Sequence, residues 1–310
     1  MSKKILRIAT RKSPLALWQA NHVRELLLQH WPSLNIELIP MVTSGDKFLN
    51  EKLSATGGKG LFVKELEEAL LDKRADLAVH SMKDVPAFFP AGLELAAICS
   101  RHNPLDALVS HNHDSLDNLP CDAIVGTSSL RRQSQLLAIR PDLNIKALRG
   151  NIQTRTAKLQ SGEYDAIILA VAGLERMTMD TLITEILSTE TMLPACGQGA
   201  LGIECRIEDD ELKQLIAPLN DPISALCVNS ERHVNALLGG NCHVPVAVYC
   251  APMENSQLLL RAKVASADGQ IVISNRQNGH QDDAVALADK CAHALLESGA
   301  RDLLASTPSS

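Results

Sequence analysis

The stretch Asp76-Leu77-Ala78-Val79-His80-Ser81-Met82-Lys83-Asp84-Val85-Pro86 decides how this chain is read. An apolar run of strand character stops abruptly at the polar Ser81-Met82-Lys83-Asp84. In an open α/β sheet the carboxyl ends of the strands face the ligand crevice, so the strand presents Lys83 and Asp84 there, an acid beside its own counter-charge. Such a pair can move a proton and stabilise a cation. Taken alone, the segment is equally compatible with a solvated surface loop, and its surroundings must decide.

On either side the text alternates between strand and helix patterns. Lys4 to Thr10 reads as a strand; Ser13 caps and Pro14 opens a helix running to about His30. A strand over 36–43 leads to Gly57-Gly58-Lys59-Gly60 and an amphipathic helix, and strands at 76–80 and 93–98 close a β-α-β-α-β unit with a mainly parallel sheet. The pattern then restarts: strand 122–127, a helix 130–139 capped by Ser128-Ser129, strand 144–148, helix 152–160, strand 165–170. Leu201 to Glu204 reads as a strand returning to the first unit. Beyond Asp221 come helix 222–238, strands 244–250, 257–265 and 270–274, and helix 281–297. The expected architecture is α/β: a first lobe over 1–99 and 200–217, a second over 100–199, and a smaller α+β domain over 218–310.

Composition narrows the function. The 310 residues, 45% hydrophobic and 21% charged, can bury a substantial core. No run of about 18 apolar residues occurs, and the start passes directly into a strand pattern, so a cytoplasmic protein without membrane contact is expected. Eight cysteines with no C-x-x-C pair argue for reduced thiols and against a disulfide framework. A zinc site built from Cys242, His243 and His233 lacks any recognised spacing, and no metal is expected. A net charge of −6 and 3% aromatic residues give nucleic-acid binding no support.

Within this acidic chain, cations gather at strand-to-helix junctions: Arg11, Lys59 and Lys83 in the first unit, and Arg131, Arg132, Arg149, Arg155 and Arg176 in the second. Arginines suit carboxylate or phosphate, and the caps at Ser13 and Ser129 add helix N-terminal N–H groups. A ligand with several anionic groups is implied. The glycines around Lys59 fail the P-loop spacing and suit a loop over the cleft better. Cys242 sits in Leu238-Gly239-Gly240-Asn241-Cys242-His243-Val244-Pro245, just past a helix, where glycines expose the backbone. That context suits a nucleophile, although a buried structural thiol is the commoner fate of a single cysteine.

Six segments taken together resemble the porphobilinogen deaminase (hydroxymethylbilane synthase) family. They are Arg7 to Gln19, Gly57 to Glu65, Ala78 to Pro86, Gly126 to Arg132, Leu148 to Asn151 and Pro194 to Ala200. The resemblance spans essentially the whole chain and implies two lobes like those of periplasmic binding proteins plus a third domain carrying a cofactor cysteine. It implies an enzyme of tetrapyrrole biosynthesis that condenses four porphobilinogen molecules into hydroxymethylbilane, with a dipyrromethane primer joined to Cys242 by a thioether. On this resemblance Asp84 is catalytic, with Lys83 beside it. Ser13, Lys83, Ser129, Arg131, Arg132 and Arg149 bind cofactor, while Arg11, Gln19, Lys59, Arg149, Arg155, Arg176 and Gln198 bind substrate. It further implies a monomer whose product passes to uroporphyrinogen-III synthase. One departure stands out: the family reads Leu-Glu-Gly-Gly-Cys where this chain has Leu238-Gly239-Gly240-Asn241-Cys242. A two-lobed, non-enzymatic binding protein for a small polyanion is the rival reading; a covalently loaded thiol would separate the two.

Overall fold

The computed structural model describes residues 5–47, 62–239 and 244–306. Lys59 with its flanking glycines, and Cys242, lie outside the described residues. The first lobe opens with β1 (Ile5–Arg11) and α1 (Pro14–His30). Extended Ser13 accepts a hydrogen bond from Ala16 N at 3.3 Å and Pro14 begins the helix, as the sequence pattern predicts. Next come β2 (Asn35–Met41), the short α2 (Ser44–Lys47), α3 (Lys64–Leu71), β3 (Leu77–Ser81) and β4 (Leu93–Ile98). In the second lobe the order is β5 (Asp106–Ser110), β6 (Ile124–Gly126), α4 (Leu130–Ile139), β7 (Asn144–Lys146), α5 (Ile152–Gln160), β8 (Ala166–Ala170), α6 (Val171–Arg176) and β9 (Glu185–Leu187). The chain then returns as β10 (Leu201–Arg206) and α7 (Asp210–Ile216).

Both lobes follow one plan. The first sheet runs β2-β1-β3-β10-β4 and the second β7-β6-β8-β5-β9. Neighbouring strands are parallel except at the fourth place, where β10 is antiparallel to β3 and β4, and β5 to β8 and β9. The alternation of strands and helices predicts mainly parallel sheets; the two antiparallel strands are those that arrive from the other lobe. A chain leaving the carboxyl end of a strand at the cleft enters the opposite sheet from its cleft side, and so runs against its neighbours. All six residues of β10 are buried, Glu204 and Arg206 included.

The third sheet is the antiparallel meander β11 (Val246–Pro252), β12 (Gln257–Ala265) and β13 (Val272–His280). Against it pack α8 (Pro222–Leu237) and α9 (Ala284–Leu295), with α10 (Arg301–Ser306) at the end. Val234, Val248, Leu260, Val264, Ala288 and Leu295 form the centre of this core. β13 continues well past the expected 270–274, and α9 starts three residues later than the pattern places it, because Asn275-Arg276-Gln277-Asn278 is a half-exposed strand face with little apolar signal.

Two buried acids in the first lobe lie beside a histidine. His80 Nε2 stands 2.7 Å from Glu204 Oε2, across the β3–β10 pair. Burial, together with the charge of Glu204, pushes the carboxyl of neighbouring Glu67 up to about 7, with His80 opposing. A folded-state pKa above the unfolded 4.5 means the native state holds this proton more tightly; the stability it contributes is full below pH 4.5 and is lost as pH rises through 7. Each unit of such a shift corresponds to about 1.4 kcal/mol. Glu67→Gln is therefore expected to flatten the fall in melting temperature between about pH 5 and pH 8, measured by thermal denaturation across that range; an unchanged slope would contradict the assignment.

Candidate active site

β3 ends at Ser81, and Met82–Asp84 forms a 3₁₀ turn at its carboxyl end. Three local causes hold this turn. Pro86 favours the extended conformation that Val85 adopts, with φ −82° and ψ 125°. Gln19 Nε2 donates to Ser81 Oγ at 2.8 Å. Met82 is buried where the returning chain carries two glycines: a side chain on Gly202 would overlap the Met82 sulfur, and a Cβ on Gly197, whose φ is +69°, would lie 2.7 Å from Met82 Cβ. The glycines of the Pro194 to Ala200 segment and of β10 thus make room for the residue that anchors Lys83 and Asp84.

Asp84 lies where three cavities meet. One, about 230 Å³, is also lined by Lys83, Ser129, Arg131, Arg132 and Gln198. A small one of about 50 Å³ brings Arg11, Ser13, Gln19 and His80 to the same carboxylate. The largest, about 860 Å³, is walled by Arg11, Lys12, Lys83, Arg132, Arg149, Arg155 and Lys158, seven cations with Asp84 as the sole acid among the described residues that line it. Helices α1, α4 and α5 all begin at these walls, capped by Ser13, Ser129 and Asn151. Their N-terminal N–H groups add to the positive field. The expected cap pair at 128–129 divides: Ser129 accepts from Arg132 N at 3.5 Å, whereas Ser128 donates to Leu148 O at 2.9 Å and braces the loop that follows β7 instead.

The cations differ in how they are held. Lys83 reaches into the cleft yet is ringed by protein, and this desolvation lowers its ammonium to about 8 against the pull of Asp84, with Arg132 and Arg131 adding to the fall. Arg155 donates Nε to Gly150 O at 2.8 Å. Desolvation and then Arg132 lower it to about 10, and Asp84 opposes them. Arg11 stacks over Phe62 at 4.2 Å, a cation–π contact that orients it at the rim.

Arg131 and Arg132 share a partner that strand-to-helix reasoning misses. Asp106, the first residue of β5 and fully buried, ion-pairs with Arg131 at 2.8 Å and accepts from Arg132 at 2.7 Å and 3.1 Å. Gln198 donates to it as well, at 3.0 Å. Burial alone would raise the Asp106 carboxyl, but the two guanidinium charges and the bonds from Arg132 and Gln198 outweigh it and hold the group at about 2. Leu193 O and Ile168 O take further N–H groups of Arg131 and Arg132. An acid heading an otherwise apolar run was the available signal, since a buried charge requires a partner. Lys158 was also legible: it stands one helical turn beyond Arg155 and so shares its face.

Two family models match the chain: one described as "Porphobilinogen deaminase, dipyromethane cofactor binding domain" over residues 6–214, the other as "Porphobilinogen deaminase, C-terminal domain" over residues 225–297. The chain belongs to the porphobilinogen deaminase family. Curated relatives of that name from Legionella pneumophila strains Paris and Philadelphia 1 are 64% and 63% identical over 309 residues, covering 100% of both chains. Among solved structures, a putative methionine-binding lipoprotein from Bacillus subtilis aligns with TM-score 0.42 and 16% identity over 72% of this chain and 93% of that one. A periplasmic aliphatic sulphonate binding protein from Escherichia coli aligns with TM-score 0.42 and 15% identity over 78% and 73%.

The residues present fit the family's dipyrromethane. Lys83, Arg131 and Arg132 border the 230 Å³ cavity, and among the described residues around it only Asp84 and the buried Asp106 oppose them, so the wall suits a small group carrying carboxylates. Val244, two residues past Cys242 in the chain, lines this same cavity. Arg176, expected to bind substrate, is not among the residues that line these three cavities. It is buried, donates to Gly199 O at 2.7 Å and lies 5.8 Å from the Trp18 ring, bracing the segment that joins the lobes. Gln198, similarly, spends its amide on Pro104 O and Asp106 while lining the cavity. No metal-holding cluster of His, Cys, Asp or Glu occurs among the described residues, nor any helix long and apolar enough to cross a membrane.

Removing the Asp106 charge tests this arrangement. Asp106→Asn leaves two buried guanidinium groups without their carboxylate and is expected to cost about 3–5 kcal/mol of stability. Urea denaturation measures the loss; one below about 1 kcal/mol would show that the clamp is not structural.

Proposed function

We propose that Asp84 is the group on which each condensation turns as the chain joins four porphobilinogen molecules head to tail into hydroxymethylbilane with release of ammonia. The carrying observation is its position where three cavities meet, one carboxylate among eight lysines and arginines on their described walls. Substrate and product carry acetate and propionate groups on every pyrrole. Arg11, Arg149, Arg155 and Lys158, with Lys12 beside them, bind those acids along the large cavity, and Lys83, Ser129, Arg131 and Arg132 bind them in the smaller one. Joined to Cys242 by a thioether, a dipyrromethane supplies the free pyrrole α-carbon to which the first substrate is added.

When the substrate C–N bond breaks, its electron pair leaves with nitrogen and positive charge develops on the pyrrole. Among the described residues of the large cavity's wall, Asp84 is the one acid available to accept a hydrogen bond from the pyrrole N–H and stabilise that charge. The surrounding cations cannot do so; they repel it. Their task is to hold the substrate by its carboxylates, so that the aminomethyl carbon is fixed against Asp84. The substrate's ammonium leaves as ammonia, and the same carboxylate can take the proton that the α-carbon gives up on forming the new bond and pass it to that ammonia, so no net proton remains on the enzyme. A lowered Lys83 pKa keeps this neighbour ready to lose its charge above about 8, which weakens substrate holding as pH rises. Full-length relatives named as deaminases disfavour a purely binding role.

Asp84→Ala tests the assignment. The variant is expected to keep its covalent dipyrrole while ammonia release from porphobilinogen falls by about 10²-fold or more, with Asp84→Glu retaining part of the rate. Turnover preserved in Asp84→Ala would overturn the role of this carboxylate.

A further inference from the structure

Arg232 lies within α8 and faces the segment that follows Asp84. Its Nη2 donates to Pro86 O at 2.9 Å and to Ala87 O at 3.3 Å, and its Nη1 to Val85 O at 3.3 Å. The guanidinium carbon stands 5.3 Å from the Phe89 ring centroid. Residues 85–90 lie outside the strands and helices, so these three carbonyls make no ladder bonds, and one guanidinium gathers them. Only a planar fork spans such a set; an ammonium donates from a single point.

The same helix reaches the site in two other ways. Asn235, nearly one turn beyond Arg232, lines the 230 Å³ cavity together with Val85, Pro86 and Ala87. Glu231, adjacent to Arg232 and fully buried, accepts from Arg101 at 2.6 Å and from the backbone N–H groups of Gly197 at 2.6 Å and Cys250 at 2.8 Å. Arg101 and Gly197 belong to the two segments that cross between the lobes. So α8 is fastened to both crossings by one residue and to the Asp84 segment by the next, and it ends at Leu237, five residues before Cys242.

We propose that Arg232 is a positioning residue: by gathering the carbonyls of Val85, Pro86 and Ala87 it fixes the Asp84 turn against the helix that leads to Cys242. This rests on the roles assigned to Asp84 and Cys242 above. The third domain then serves as more than a carrier of the thiol. It sets where the acid stands relative to whatever that thiol holds. A misplacement of about 1 Å in such a geometry costs roughly 10²-fold in rate.

Arg232→Met, Arg232→Lys and Asp84→Ala are the variants to compare, each purified with its covalent loading measured by intact mass. In Arg232→Met, hydrogen exchange is expected to quicken across residues 82–89 and to stay unchanged in β12 and α9. Loading is retained, kcat falls by about 10- to 100-fold, and KM for porphobilinogen moves by less than about twofold. Arg232→Lys should lie between Met and wild type, and added guanidinium should restore part of the Met variant's rate. Unchanged exchange and kcat would overturn the proposal, as would exchange quickening equally throughout the third domain, which marks simple destabilisation. If Asp84→Ala remains active, the reading of the site itself fails. If Asp84→Ala is dead while Arg232→Met is fully active, only the positioning role fails.

Discussion

One buried carboxylate holds the cleft together. Asp106 begins the strand by which the chain first enters the second lobe, and it draws Arg131, Arg132 and Gln198 onto a single point. Two guanidinium groups beside one acid could not be buried without it, and with it they remain an array short of one negative charge. Breaking a buried pair of this kind exposes the full cost of an uncompensated charge, on the order of several kcal/mol. The residual positive charge is useful only because it faces a cavity, where an acidic ligand completes the balance. Structure and ligand affinity therefore have the same origin.

The crossing segments do comparable work on the other side. Gly197 and Gly202 leave space for Met82, and Met82 holds the turn that carries Lys83 and Asp84. Each lobe's defining antiparallel strand is thus also a support for the site: β5 through Asp106, β10 through the room it gives Met82. The acid at the centre needs this rigidity, because a carboxylate among seven cations would otherwise be drawn into a salt bridge with whichever came nearest.

Much of this was legible in the residues. Apolar patterns with caps at Ser13 and Ser129 place α1 and α4 close to where they occur, and Leu93–Ile98 and Gln257–Ala265 agree with the pattern at both ends. Lys83, Asp84 and the arginines at strand ends were visible because a parallel sheet sends its carboxyl ends to the crevice. The rest depended on long-range pairing. β9 has three residues and β5 starts with an acid, so neither carries a clear periodic signal. Asp106 acquires meaning only when β5 is known to start at the cleft. Arg232 and Glu231 read as the polar side of a helix until the loop and crossings they bind are seen. Arg176, grouped in the sequence with the junction cations, donates to a nearby backbone carbonyl and stands beside an indole, contacts that only the fold reveals.

The most direct test of the account is an intact-protein mass spectrum of the chain after brief exposure to limiting porphobilinogen, with Cys242→Ser as the control. The account predicts a covalent dipyrrole on the wild-type chain, further increments of one pyrrole unit each, and neither in the control. A wild-type mass that stays at that of the bare polypeptide, or an equal adduct on Cys242→Ser, would contradict it.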